Sequence, residues 1–154
     1  MSLSTSPILS LSLLRPIIVL NAWTFTMELW MYITRIPVFS TMSPPPSNTM
    51  TKSDLDKLTP ASVRWKADNY NHLHEQPTQF YAIVLALAFA RYVRGDEESK
   101  LGVDVALAWM YVGLRVLHSF VHVTRNWIML RFGVFVISSG VLVVLAGRAA
   151  AVIF

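Results

Sequence analysis

The stretch Leu101–Val123, LGVDVALAWMYVGLRVLHSFVHV, decides the fold. A bilayer core about 30 Å thick is crossed by roughly 20 mostly apolar residues in a helix. This stretch has that length and character, yet it carries Tyr111, Arg115, His118 and His122. Their offsets of four, three and four, at about 3.6 residues per turn, put all of them on one helix face. A charged side chain at the bilayer centre costs about 2.5–3.5 kcal/mol on insertion scales, so ionisable residues within a span face the bundle interior and find partners there. The stretch therefore reads as a transmembrane helix with a polar face turned inward.

The flanking sequence repeats the pattern. Downstream, residues 128–153 form another long apolar run, with Asn126 and Arg131 where the chain returns to the membrane. Upstream, residues 78–94 give a span whose helix is predicted to begin earlier, near Ser62, with a polar portion before it enters lipid. A further span covers about 16–34, with Pro16 near its start, where a missing N–H costs least, and with Arg35 and Pro37 closing it. Between them, residues 36–61 contain Pro44-Pro45-Pro46-Ser47-Asn48 and read as an aqueous loop. The expectation is an all-α, integral membrane, multi-pass protein: a single four-helix transmembrane domain over residues 1–154, with both termini on one side.

Composition agrees and excludes other classes. With 54% hydrophobic residues against 14% charged and a mean hydropathy of +0.48, the chain is too apolar for an ordinary soluble domain. The absence of cysteine removes disulfides, thiolate nucleophiles and cysteine metal sites, so any thiol chemistry uses a thiol brought by a ligand. The net charge of +4 is scattered over loops and helix ends without a basic run, which argues against nucleic acid. Arg35, Lys52, Lys57, Arg64, Lys66, Arg125 and Arg131 flank one side of the spans, against Arg15, Arg91, Arg94, Lys100 and Arg148 on the other, a bias that places the long loop in the cytoplasm or its equivalent. The serine-rich segment Ser2–Leu14 lacks a positive n-region and a cleavage site, and does not read as a targeting signal. Small residues at helical spacing, Ala82, Ala86 and Ala90 and again Gly147 and Ala151, mark faces where helices approach closely.

Charge within the spans carries the functional signal. Besides the polar face at 111–122, Asn71 and Glu75 lie one turn apart with His72 and His74 interleaved, and Glu28 sits within the first span. Mutual neutralisation explains single pairs. It explains the set less well, because Arg35, Arg64, Lys66, Arg115 and Arg131 outnumber Glu28, Asp68 and Glu75. If these groups converge, surplus positive charge in a partly desolvated cleft calls for an anionic ligand, and the planar fork of arginine suits a carboxylate.

The run Arg64-Trp65-Lys66-Ala67-Asp68-Asn69-Tyr70-Asn71-His72-Leu73-His74-Glu75-Gln76-Pro77, followed by an apolar helix, resembles the second-helix signature of the membrane-associated proteins in eicosanoid and glutathione metabolism, the MAPEG family. Arg115-x-x-His118-x-x-x-His122 is similar to the Arg-x-x-His-x-x-x-Tyr of its prostaglandin synthase branch, and Arg131 falls at a matching distance. The resemblance covers roughly Arg64 to the C-terminus, with Arg35 also in place. It implies a homotrimer binding glutathione between subunits and activating its thiol for attack on a lipophilic electrophile. Arg131 would sit beside the sulfur as the catalytic residue. Arg35, Arg64, Lys66, Asn71, His72, Glu75, Arg115, His118 and His122 would form the ligand site, Glu75 holding the ammonium and Arg115 with His118 taking carboxylate or peptide groups.

The sequence also departs from the family pattern. The asparagine stands four residues before Glu75 instead of three, with His72 in its place; Asp68 replaces an arginine, for which Arg64 or Lys66 would substitute; His122 replaces a tyrosine. Two other readings stand beside the transferase. A metal or haem site on His118 and His122 is disfavoured by the neighbouring arginine. A non-catalytic membrane scaffold, or a subunit of a larger membrane complex, would keep the fold without the chemistry.

Overall fold

The computed structural model describes residues 11–96 and 98–154, the side chains of Glu98 and Ser99 excepted. Most of the Ser2–Leu14 segment and Glu97 of the acidic turn lie outside the described residues. Every regular element among the described residues is helical: α1 (Leu11–Thr41), α2 (Lys52–Leu58), α3 (Ala61–Leu73), α4 (Gln76–Arg94), α5 (Gly102–Thr124) and α6 (Ile128–Ile153), with a short 3₁₀ turn at Glu98–Leu101.

The helix around Arg35 runs on through Pro37 to Thr41. A single proline removes one backbone bond, and apolar surroundings favour keeping the rest. Nearby hydroxyls turn back on the helix: Thr34 Oγ1 donates to the Trp30 carbonyl at 3.0 Å and Thr41 Oγ1 to that of Pro37 at 3.0 Å. The stretch read as loop also contains α2. Its start is a capping box, in which the Asp54 N–H donates to Thr51 Oγ1 and the Thr51 N–H to Asp54 Oδ2 at 3.0 Å.

The helix predicted from Ser62 onward is two helices. It stops at Leu73 and restarts at Gln76 because Pro77 has no N–H to give the Leu73 carbonyl, and its ring crowds that carbonyl. The break turns Glu75 outward, with its side chain 62% exposed. At the far end, α4 stops on Gly95, whose φ of 69° suits a residue without Cβ.

The polar face of α5 is buried as its spacing required. Tyr111, Arg115, His118 and His122 are each at most 3% exposed. Apolar packing continues beneath them, with Phe80 stacked on Tyr111 at 4.4 Å between ring centroids and Leu20, Val84, Leu87, Leu142 and Leu145 around the pair. Of the small-residue faces, Ala90 packs against this core, while Ala82, Ala86, Gly147 and Ala151 are exposed. Two described helices, α5 and α6, are long and apolar enough to cross a membrane.

An ion-pair cluster ties α4, α5 and α6 together near the start of α5. Asp104 is fully buried. Arg91 Nη2 donates to its Oδ2 at 2.9 Å, Arg148 Nε donates to its Oδ1, and Arg91 Nη1 reaches Asp96 Oδ2 at 2.9 Å.

Candidate functional site

At the other end of α5 the break between α3 and α4, the short α2 and the turn into α6 enclose a cleft of about 440 Å³. Lys52 and Asp56 come from α2, Arg64, Trp65, Asp68, Asn71 and His72 from α3, Glu75 from the break, His122 from α5, Asn126 from the turn and Arg131 from α6. Local sequence explains the placement. Asn126 adopts a left-handed φ of 51°, a conformation asparagine tolerates, and its N–H donates to the Val121 carbonyl at 2.8 Å. That turn carries the chain into α6, where Arg131 Nη1 donates to Asn126 Oδ1. Arg64 is held by donating from Nη1 to the Asp56 carbonyl at 2.8 Å, which links α3 to α2.

The expected surplus of positive charge is not on the cleft walls. Lys52, Arg64 and Arg131 face Asp56, Asp68 and Glu75, a balanced set. The extra cation lies behind the wall: Arg115 is 0% exposed, and no carboxylate among the described residues forms an ion pair with it. Its Nη2 donates to the His72 carbonyl at 2.9 Å and its Nη1 to Gln76 Oε1 at 3.4 Å, while Nε has no partner among the described residues. Gln76 is a hub, accepting on the same oxygen from Tyr111 and Ser138 at 3.4 Å and donating from Nε2 to Ser139 Oγ at 2.6 Å. Below it, buried Asn69 donates to Ser119 Oγ at 2.6 Å.

Beside the cleft is a second chamber of about 240 Å³, lined by Ile128, Phe132 and Phe135 together with His72, His118 and Arg131. His72 and Arg131 line both chambers. The rings of His72, His118 and His122 form a triangle, with centroids 5.6 Å apart for His72–His118 and 5.9 Å for each of the other pairs. His72 Nδ1 lies 2.9 Å from Glu75 Oε2, but off the line a hydrogen bond needs. Burial, assisted by the charges of Arg115 and Arg131, holds the His72 imidazole below its ordinary pKa, although Glu75 pulls the other way. Among the described residues no group of three or more His, Asp or Glu is arranged to hold a metal ion.

Of the residues singled out from sequence, Arg64, Asn71, His72, Glu75, His122 and Arg131 meet on the cleft. His118 faces the apolar chamber instead. Arg115 touches the cleft only through the His72 backbone. Arg35 lines a small side pocket shared with Lys52, Arg64 and Asn71, with its guanidinium over the Phe39 ring at 4.8 Å. Lys66 turns away: its Nζ donates to the Ser62 carbonyl at 2.8 Å and lies 5.4 Å from the Trp30 ring centroid, because its place on α3 points toward α1 and not toward α2. Lys52, Asp56 and Trp65 on the cleft, and Gln76 and Asn69 beneath it, were missed. The Thr51-x-x-Asp54 capping signature announced the helix that carries Lys52 and Asp56, and a glutamine one residue before the proline that restarts a span is a polar side chain sent into the bundle.

Helices throughout the described residues, two of them long and apolar enough to cross a membrane, a buried polar helix face and a polar cleft abutting an apolar chamber define a helical membrane protein with a candidate binding site. The chain belongs to the MAPEG family, which matches it over residues 13–151. That family is membrane-associated and includes glutathione-dependent transferases and other members. Comparison with curated proteins and with solved structures gave no match.

Proposed function

We propose that this protein is a multi-pass membrane protein that binds glutathione and activates its thiol for attack on a lipophilic electrophile. In this reading α1, α4, α5 and α6 are four spans of one transmembrane bundle, and three copies assemble. The apolar exterior supports the first point: Ile18, Phe25, Phe89, Val93 and Val143 all face outward, where lipid would cover them.

The observation that carries the functional reading is the sharing of Arg131 between a charged cleft and an apolar chamber. Glutathione carries one ammonium and two carboxylates. The cleft offers carboxylates at Asp56, Asp68 and Glu75 and cations at Lys52, Arg64 and Arg131, which fits a zwitterion better than a simple anion. A thiol beside Arg131 would have its thiolate stabilised and would face the chamber that suits a hydrophobic partner. Asn71, His72, Glu75 and His122 would contact the ligand, Arg115 would fix the His72 backbone, and Arg35 would act through the side pocket.

Isothermal calorimetry and thermal melting with glutathione test this. At about 100 times Kd the ligand should stabilise the fold by about 2.7 kcal/mol. Neither heat nor a shift in melting temperature at saturating glutathione would remove the binding reading. It would favour the scaffold alternative, to which His72, Asp68 and His122, the departures from the family pattern, belong.

A further inference from the structure

A side pocket of about 40 Å³ adjoins the cleft between the end of α1, α2 and α3; Lys52, Asp56, Arg64, Asp68 and Asn71 line both spaces, and Arg35 lines only the pocket. It has room for a carboxylate and little more. Arg35, Lys52 and Arg64 outnumber Asp56 and Asp68 there by one, so the cationic surplus missing from the cleft walls is found at this end. Among the described residues none of the three cations is in an ion pair. The Arg35 guanidinium lies over the Phe39 ring and Arg64 is tied to the Asp56 carbonyl, while no hydrogen bond among the described residues holds the Lys52 ammonium. The side pocket shares no residue with the apolar chamber, whose links to the cleft are His72 and Arg131. A ligand with its reacting atom at Arg131 therefore reaches the side pocket only with a terminus.

We propose that the side pocket seats the glycine carboxylate of glutathione and that Lys52 binds it there, which makes α2 the element that selects the tripeptide. The proposal rests on the glutathione reading above. The ligand's two ends differ: the γ-glutamyl end carries an ammonium beside its carboxylate, the glycine end a carboxylate alone. Glu75, the ammonium's partner in that reading, lies 2.9 Å from His72 on the chamber side and outside the side pocket. The γ-glutamyl end goes there, which leaves the glycine end for α2. An incoming carboxylate balances the pocket's charge, and Lys52, with no other partner, is free to turn onto it with a charge-assisted hydrogen bond. Asp68 stands where the family pattern has an arginine, and Lys66 points away, so the duty of that cation passes to α2.

The test is calorimetry on the full chain in mild detergent, with glutathione and with the amide of its glycine carboxylate, which keeps the shape and removes the charge. Wild type, Lys52→Met and Lys57→Met are compared; Lys57 belongs to α2 but lines neither the cleft nor the side pocket. A hydrogen bond to a charged group is typically worth about tenfold or more in affinity. Wild type should therefore prefer glutathione over the amide by about tenfold or more. Lys52→Met should cut that preference by about threefold or more through weaker glutathione binding alone, the two arginines keeping the rest, and Lys57→Met should leave it as in wild type. Equal affinity of wild type for both ligands would overturn the proposal, as would an unchanged preference in Lys52→Met or an equal loss of preference in Lys57→Met. No glutathione heat in wild type would instead sink the underlying reading, and the carboxylate seat with it.

Discussion

Arg131 is held at the α6 start by its bond to Asn126, away from the packed interior that Arg115 occupies, so the two arginines answer to different measurements. A free thiol ionises near pH 8.5, and a guanidinium beside it lowers that value, by about a unit or more in cationic sites. Arg131→Leu should leave the fold intact while the thiolate absorbance of bound glutathione rises at higher pH than in wild type. An unchanged titration would take Arg131 out of the catalytic role. His72 gives a second prediction of known sign. Its folded pKa lies below the ordinary 6.5, chiefly through burial. As pH falls below that value the unfolded chain binds a proton that the folded chain resists, so stability is complete above about pH 6.5 and is lost as acid drives the pH down toward the folded pKa. His72→Asn should flatten the fall of melting temperature between neutral and mildly acidic pH; an identical slope would mean that His72 does not carry this acid sensitivity.

Among the elements, α5 carries most of the organisation, because it ends in the polar cleft and begins in the Asp104 cluster. Removing the acid of a buried pair leaves uncompensated charge, at a typical cost of about 3–5 kcal/mol, and the partial exposure of Arg148 argues for the lower end. Asp104→Asn should lower the melting temperature accordingly without changing cleft residues, and a loss below about 1 kcal/mol, the level of a surface pair, would show the cluster to be solvated. The inward face of α5 was legible in the sequence because charge in an apolar helix has few places to go, and the four side chains repeat at helical spacing. Asp104 was not singled out: it stands near the end of a span, where an acid reads as an ordinary interface residue until the fold brings Arg91 and Arg148 to it from two other helices. The break before α4 was written in Pro77, but periodicity on either side of it is helical, so pattern alone joined the two helices. Which residues line the cleft depended on α2, whose seven residues are too few for a hydrophobic period to show.

At the scale of the whole molecule, the exposed polar and small-residue faces favour assembly. Glu75 and Asn71, central to the proposed ligand site, stand exposed on one chain, and a cleft that open gives a small ligand little burial. The small-residue faces at Ala82 with Ala86 and at Gly147 with Ala151 are also outward, and in lipid such faces gain mainly by close packing against another helix. A neighbouring copy seated against them would bring both features under cover, and a closed ring of three does so for every subunit without leaving an unpaired face. Mass measurement in mild detergent should therefore find three chains. Ala86→Trp, which puts a large ring on the outward face of α4 without touching the core of its own chain, should shift the population toward monomer and weaken glutathione binding in parallel. A wild-type protein found only as a monomer would defeat the assembly. A monomeric Ala86→Trp variant with undiminished glutathione affinity would show instead that each chain's cleft is complete by itself, and that the exposed Glu75 owes nothing to a neighbour.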